Sequence, residues 1–167
     1  MSLVDLTIED DGWNALPLTE ISETAARAAL AAQNLDPADF EISLLACSDD
    51  RIARLNASFR GKPSPTNVLS WPSEALTPDQ PGATPPPPSH AAPTGQTPLG
   101  DVAIALQTCE REAREHSIDL KNHVTHLILH GCLHLLGFDH ETDEDAALME
   151  GIEIQALAEL GIETPYS

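Results

Sequence analysis

Val4, Leu6 and Ile8 alternate with polar neighbours, which predicts a half-buried strand over 3–9. Residues 19–33 are alanine-rich and helical in pattern, with Thr19 as the expected N-cap. Phe40, Ile42 and Leu44 alternate again, giving a second strand to about Ala46. Asp49 or Asp50 then caps a helix whose apolar face is Ile52, Leu55 and Phe59. The proline-flanked "TNVLSW" (66–71) predicts a short strand, and Val102, Ile104 and Leu106 mark another in "LGDVAIAL". From there the pattern is helical, over 108–117, about 120–136 and about 143–160. Thr142 and Asp145 have capping-box-like spacing before a stripe of Met149, Ile152, Ala156 and Leu160. Gly161 stops this last helix, with Pro165 beyond it. The order β-α-β-α-β-β-α-α-α predicts an α+β fold: a small mixed four-stranded sheet with helices packed on it.

Length and composition change this picture little. The 167 residues are expected to form a single domain, 1–167, large enough to bury its own core. Within it, 74–98 holds eight of the fourteen prolines, including "PPPP" at 85–88. Proline neither donates to a ladder nor continues a helix, so this stretch is expected to be a flexible surface insertion with no catalytic part. The opening "MSLVDLTIED" carries acids where a signal peptide has a basic region and an apolar run, and no apolar stretch reaches membrane-spanning length. Cys47, Cys109 and Cys132 are odd in number and far apart, the usage of reduced core thiols in a cytoplasmic protein.

Charge qualifies the choice of partner. A net charge of −19 argues against a nucleic-acid ligand, since phosphate binding favours a basic surface. Yet four of the eight basic residues, Arg51, Arg54, Arg60 and Lys62, fall within twelve positions. Such a cluster is either a solvated helix face or a local guide for a phosphate.

The chemistry is concentrated in "HGCLHLLGFDH", residues 130–140. His130 and His134 are four apart on a helix, so both rings project from one face and can hold one Zn²⁺ per chain. A third ligand further along a straight helix would be too far away to converge. Gly137 can adopt φ > 0, end the helix and fold His140 back to the ion. Three nitrogens leave a fourth position open for water, the catalytic rather than the structural arrangement. The spacing matches the metzincin pattern H-E-x-x-H-x-x-G-x-x-H, except that Gly131 stands where those peptidases carry the catalytic glutamate. A carboxylate there would repel a phosphodiester, so its absence favours phosphoester over peptide chemistry. Asp139 is either an acceptor fixing a ligand tautomer or a solvated turn residue. His126 either lines the cleft or is a neutral, hydrogen-bonded helix residue. Cys132 and Met149 are expected in the core.

These residues resemble the signature of the YbeY family of bacterial endoribonucleases, roughly H-G-x-L-H-L-x-G-[YF]-D-H. "LNASFRGKPSPTNVLSWP" (55–72) and "LGDVAIA" (99–105) resemble two further family blocks, with Trp71 for phenylalanine and Asn67 where aspartate is common. The resemblance implies a zinc-dependent endoribonuclease acting on single-stranded RNA, in 16S rRNA 3′-end maturation and ribosome quality control on the small ribosomal subunit. It implies His130, His134 and His140 as metal ligands and Arg60 as the catalytic residue that binds the scissile phosphate, a task suited to a guanidinium. Ser70 falls in a matched block with either a backbone or a catalytic role. Two alternatives stand beside this reading. One is a ribosome-associated RNA-binding factor with a structural metal; the other is a metzincin-like peptidase.

Overall fold

The computed structural model describes residues 2–61, 64–89 and 95–163. Lys62 of the basic cluster, residues 90–94 of the proline-rich stretch, and Pro165 lie outside the described residues.

The chain runs β1 (Val4–Ile8), α1 (Leu18–Ala32), β2 (Phe40–Cys47), α2 (Asp49–Arg60), β3 (Val68–Pro72), β4 (Thr97–Ala105), α3 (Leu106–Glu115), α4 (Leu120–Leu135) and α5 (Asp143–Glu159). This is the α+β order expected from the pattern. Short 3₁₀ turns at Asp11–Ala15 and Pro37–Asp39 are additional; neither carries a helical period long enough to signal itself. The four strands form one mixed sheet, ordered β1-β2-β4-β3. The first three are parallel and β3 runs antiparallel at the edge.

Position-by-position burial explains the layering. In β2, Ile42, Leu44 and Ala46 point to one face, where α1 and α4 cover them. Alanines on α1 (Ala25, Ala26 and Ala29, each 0% exposed) let the helix backbone come close. The opposite face carries a smaller cluster of Cys47, Ile52, Leu69, Ala103 and Ala105 under α2. Burial of α4 extends nearly all round, with Val124, Leu127, Ile128, Leu129, Cys132, Leu133 and Leu135 inside. Each such side chain contributes about 1.5–3 kcal/mol when fully buried. The site-bearing helix is therefore firmly anchored.

Four local expectations change. Ser48, not Asp49 or Asp50, caps α2, its hydroxyl accepting from Arg51 N. Asp49 instead reaches across to α3, where it accepts from Thr108 N (2.8 Å) and Thr108 Oγ1 (2.9 Å). It supplies the cap that Ala105 cannot. Thr19 lies inside α1, which starts at Leu18 after Pro17. Phe59 is 65% exposed and meets Trp71 edge-on at 5.4 Å rather than joining the core. On α5, Met149, Glu153, Ala156 and Leu157 are buried, so the apolar stripe holds an acid that periodicity alone passed over.

The proline-rich stretch packs in part. Leu76, Pro85 and Pro88 are buried. Glu74 accepts from Ser89 N (3.0 Å) and Ser89 Oγ (2.8 Å), and Gly82 N donates to Asp145 Oδ1 at 2.9 Å. Leu76 and Pro85 press on Gly137, at the turn that follows α4.

Candidate metal centre

Helix α4 begins at Asp119, whose carboxylate accepts from Asn122 N, and ends where Gly137 takes φ = 99°. A Cβ at Gly137 would stand 2.4 Å from Leu76 O, so both conformation and space require glycine. Phe138 N returns to Leu133 O at 3.1 Å and Phe138 is buried, which locks the reversal. His140 is thereby brought back beside His130 and His134. One ring nitrogen from each of the three lies within 4.8 Å of the others.

The tautomers follow from what sits behind each ring. His130 Nδ1 contacts Glu153 Oε1 at 2.8 Å, and His134 Nδ1 contacts the Phe138 carbonyl at 2.9 Å. An ionised carboxylate and a carbonyl only accept, so each neutral ring carries its proton on Nδ1. Both Nε2 atoms then present lone pairs to one another, 3.0 Å apart. Two neutral rings so placed turn their lone pairs on one another, a contact relieved by a shared metal ion or by one shared proton. Nitrogens on one tetrahedral zinc stand roughly 3.3 Å apart when each bond is ~2.0–2.1 Å. The residues present fit such an ion, with His140 as the third donor.

Electrostatics agrees. Burial, together with the neighbouring His130, holds the His134 imidazole down to about 4 from its ordinary 6.5. A neutral ring is the ligand form. Burial pushes Glu153 upward, but hydrogen bonds from His126 and His130 outweigh it, leaving the carboxyl at about 2. It is ionised at every pH at which a metal would bind.

The His134 shift has a sign that can be measured. Between pH 4 and 6.5 the unfolded chain binds a proton at this residue that the folded chain refuses. The corresponding stability is complete above the ordinary 6.5 and is lost as pH falls toward 4. Metal-free protein is therefore expected to melt lower at pH 5 than at pH 7, relative to His134→Gln, in which this contribution is absent. Parallel melting curves for the two proteins across that range would contradict the assignment.

Arg60, exposed at the C-terminal end of α2, lines a cavity of about 600 Å³ together with His130, His134, His140 and Ser70. Arg51 and Arg54 of the basic cluster do not gather there. Arg51 points to Glu9 at 3.4 Å, and Arg54 is exposed elsewhere on α2. Asp139 is 4.0 Å from His134 Nδ1 and accepts from His140 N at 2.8 Å, so it shapes the turn while Phe138 O fixes the tautomer. His126 is buried, its Nε2 3.1 Å from Glu153 Oε1. Cys132 and Met149 are core residues, as expected. Burial raises the Cys47 and Cys132 thiols to about 12, and all three cysteines are free.

Sequence reasoning missed Glu153, the one acid on the buried face of α5. Its signal was an acid four residues after Met149 and four before Leu157. Sequence reasoning also misjudged Gly131. A Cβ there would lie 2.9 Å from Val102 Cγ1 and 3.3 Å from Val68 Cγ2, because α4 rests directly on β3 and β4. Close packing accounts for the glycine, so the missing carboxylate is not by itself evidence for a phosphodiester substrate.

Comparison with known proteins places this geometry. The family model described as endoribonuclease YbeY matches residues 7–161. Proteins named Endoribonuclease YbeY from Ruegeria pomeroyi and Dinoroseobacter shibae are 56% identical over 164 residues and 55% identical over 163. The first match covers 98% of both chains; the second covers 98% of this chain and 90% of the relative. The solution structure of TM1509 from Thermotoga maritima shares the fold, with a TM-score of 0.56 at 21% identity over 95% of this chain and 91% of that one. With a family model spanning nearly its whole length and relatives above half identity, the chain belongs to the endoribonuclease YbeY family.

Proposed function

We propose that this chain is a zinc-dependent endoribonuclease that cuts single-stranded RNA, and that it serves 16S rRNA 3′-end maturation and ribosome quality control. The observation that carries the metal dependence is the pair of Nε2 lone pairs held 3.0 Å apart by acceptors behind both rings. Support for RNA as substrate comes from the names of the relatives. On this reading, His130, His134 and His140 hold one Zn²⁺ per chain. The bound ion supplies positive charge to the phosphoryl oxygens and activates water. Glu153 and the Phe138 carbonyl keep the His130 and His134 donors aimed. Arg60 holds the scissile phosphate through its guanidinium and offsets the charge that develops in the transition state. Residues 1–167 act as one unit in the cytoplasm, with 74–98 as an insertion beside the site and the small ribosomal subunit as the working partner. Among the described residues no helix is long and apolar enough to cross a membrane.

Arg60→Ala is expected to keep stoichiometric zinc and to lose roughly 10²–10³-fold in cleavage rate, the usual cost of removing one transition-state donor. Metal analysis and gel-resolved cleavage of single-stranded rRNA fragments measure the two quantities. Unchanged cleavage would remove Arg60 from the catalytic role. If zinc-loaded protein leaves such RNA intact, while an inactive variant still rescues ribosome defects, a structural-metal RNA-binding factor becomes the better reading. A metzincin-like peptidase lacks support at Gly131, because the packing that excludes a Cβ excludes a glutamate too.

A further inference from the structure

A second cavity, about 270 Å³, opens beside the metal centre and shares Asn67, Val68 and His130 with it. Its apolar lining comes from Val68 on β3, Ile118 in the turn before α4, and Leu127 on α4. Three of its polar residues, Asn67, Glu112 and His123, form one connected group, while His126 and His130 on the same wall are tied to Glu153. Asn67 Nδ2 donates to Glu112 Oε1 at 3.0 Å, and His123 Nε2 meets the same oxygen at 2.9 Å. With Nε2 donating to a carboxylate, the neutral His123 ring is left with an acceptor at Nδ1. That nitrogen is buried and has no partner among the described residues. Unsatisfied buried polar atoms are rare in folded proteins, and a site that gathers one beside a half-buried carboxylate is built for something. Neither Glu112 nor His123 lines the cavity that holds the three metal-site histidines.

We propose that this cavity is a nucleobase subsite, taking guanine from the nucleotide next to the scissile phosphate. The volume falls below the roughly 300–1,000 Å³ of drug-sized pockets, which suits one flat ring system rather than a whole nucleotide. Apolar side chains cover the faces of a base while polar groups read its edge. Two acceptors are left to read an edge: Glu112 Oε1 already accepts from Asn67 and His123, but Oε2 takes only a 3.3 Å contact from Asn67, and His123 Nδ1 has no partner among the described residues. Guanine alone presents two adjacent N–H donors, N1–H and N2–H₂, to such a group. Uracil flanks its single N–H with two carbonyls that the carboxylate repels. Adenine and cytosine set an acceptor nitrogen beside their amino group. The residues shared by the two cavities place them side by side.

This inference rests on the RNA-hydrolase reading of the metal centre, and the experiment separates the two. GMP, AMP, CMP and UMP, which share their phosphate, are titrated into zinc-loaded wild-type protein and followed by methyl NMR at Val68, Ile118 and Leu127. GMP is expected to bind about tenfold tighter than the other three, the discrimination of one good bidentate pair, and to move those methyls. Glu112→Gln is expected to remove the preference and leave the other nucleotides unchanged. Equal affinities, or methyls that do not move, overturn the subsite; if the variant fails to fold, the wild-type series decides alone. An oligouridylate carrying one guanosine gives the second arm. Cutting beside the guanosine supports the subsite, and even cutting along the chain overturns it. No cutting at all counts against the hydrolase reading, and the nucleotide titration then decides the subsite by itself.

Discussion

Replacing His134 with alanine is expected to strip the protein of bound zinc and to lower RNA cleavage by about three orders of magnitude. Burial and His130 hold His134 neutral, so no proton has to leave before a metal binds near pH 7. Its Nε2 is directed at His130 Nε2, and its Nδ1–H is committed to the Phe138 carbonyl. Alanine removes the donor from a three-nitrogen set, and the remaining pair lacks the convergence that makes the site selective. A bound metal is worth several kcal/mol of charge stabilisation in the transition state, and each 1.36 kcal/mol is tenfold in rate, which gives the thousandfold loss. The fold should survive, because one side-chain hydrogen bond contributes only about 1 kcal/mol and His134 borders the open cavity rather than the core. Metal content by mass spectrometry, the circular dichroism spectrum and single-turnover cleavage are the three readouts. Retention of stoichiometric zinc would mean that another donor set holds the ion. Loss of zinc with full cleavage would mean that the reaction does not use it.

How much of this site the sequence disclosed depends on the range of the interaction. The three histidines and Gly137 are legible because helix periodicity and one positive φ decide where they go, and both are local. Element order was legible for the same reason, since alternation in Phe40–Cys47 and the alanine face of α1 are local patterns. What failed was everything set by a neighbour distant in the chain. Asp49 looked like the cap of its own helix but caps α3, fifty-nine residues on, because the start of α3 has no side-chain cap of its own. Phe59 occupies an apolar helix position, yet its side of α2 has only the edge residue Trp71 to cover it. Arg51 and Arg60 part company because α2 turns them toward different neighbours. Gly131 is the most instructive case. Read along the chain it was a missing catalytic acid; in three dimensions it is the contact that seats α4 on β3 and β4 and so sets the height of His130 and His134 over the sheet.

Glu153 is where long-range structure and site chemistry meet, and its substitution should be the most informative after His134. The carboxylate is 0% exposed, and one oxygen contacts both His126 Nε2 (3.1 Å) and His130 Nδ1 (2.8 Å). It joins α5 to α4 and fixes the tautomer of a proposed ligand, so two effects are combined in one residue. They separate by choice of replacement. Glu153→Ala leaves the buried His126 ring and the half-buried His130 ring without this acceptor, at about 1–3 kcal/mol for each unsatisfied group. A large fall in melting temperature is expected even without metal. Glu153→Gln keeps the shape and one acceptor oxygen but removes the charge that makes His130 a stronger base. Its stability loss should be smaller, while zinc affinity falls 10–100-fold, the usual effect of removing an outer partner of a metal-bound histidine. Competition with a chelator of known affinity measures this without reference to cleavage. Because the folded carboxyl lies at about 2, below its ordinary 4.5, its contribution is complete above pH 4.5 and is lost only as pH falls toward 2. If the glutamine variant binds zinc as tightly as wild type, the charge of Glu153 serves the joint between the helices and not the metal.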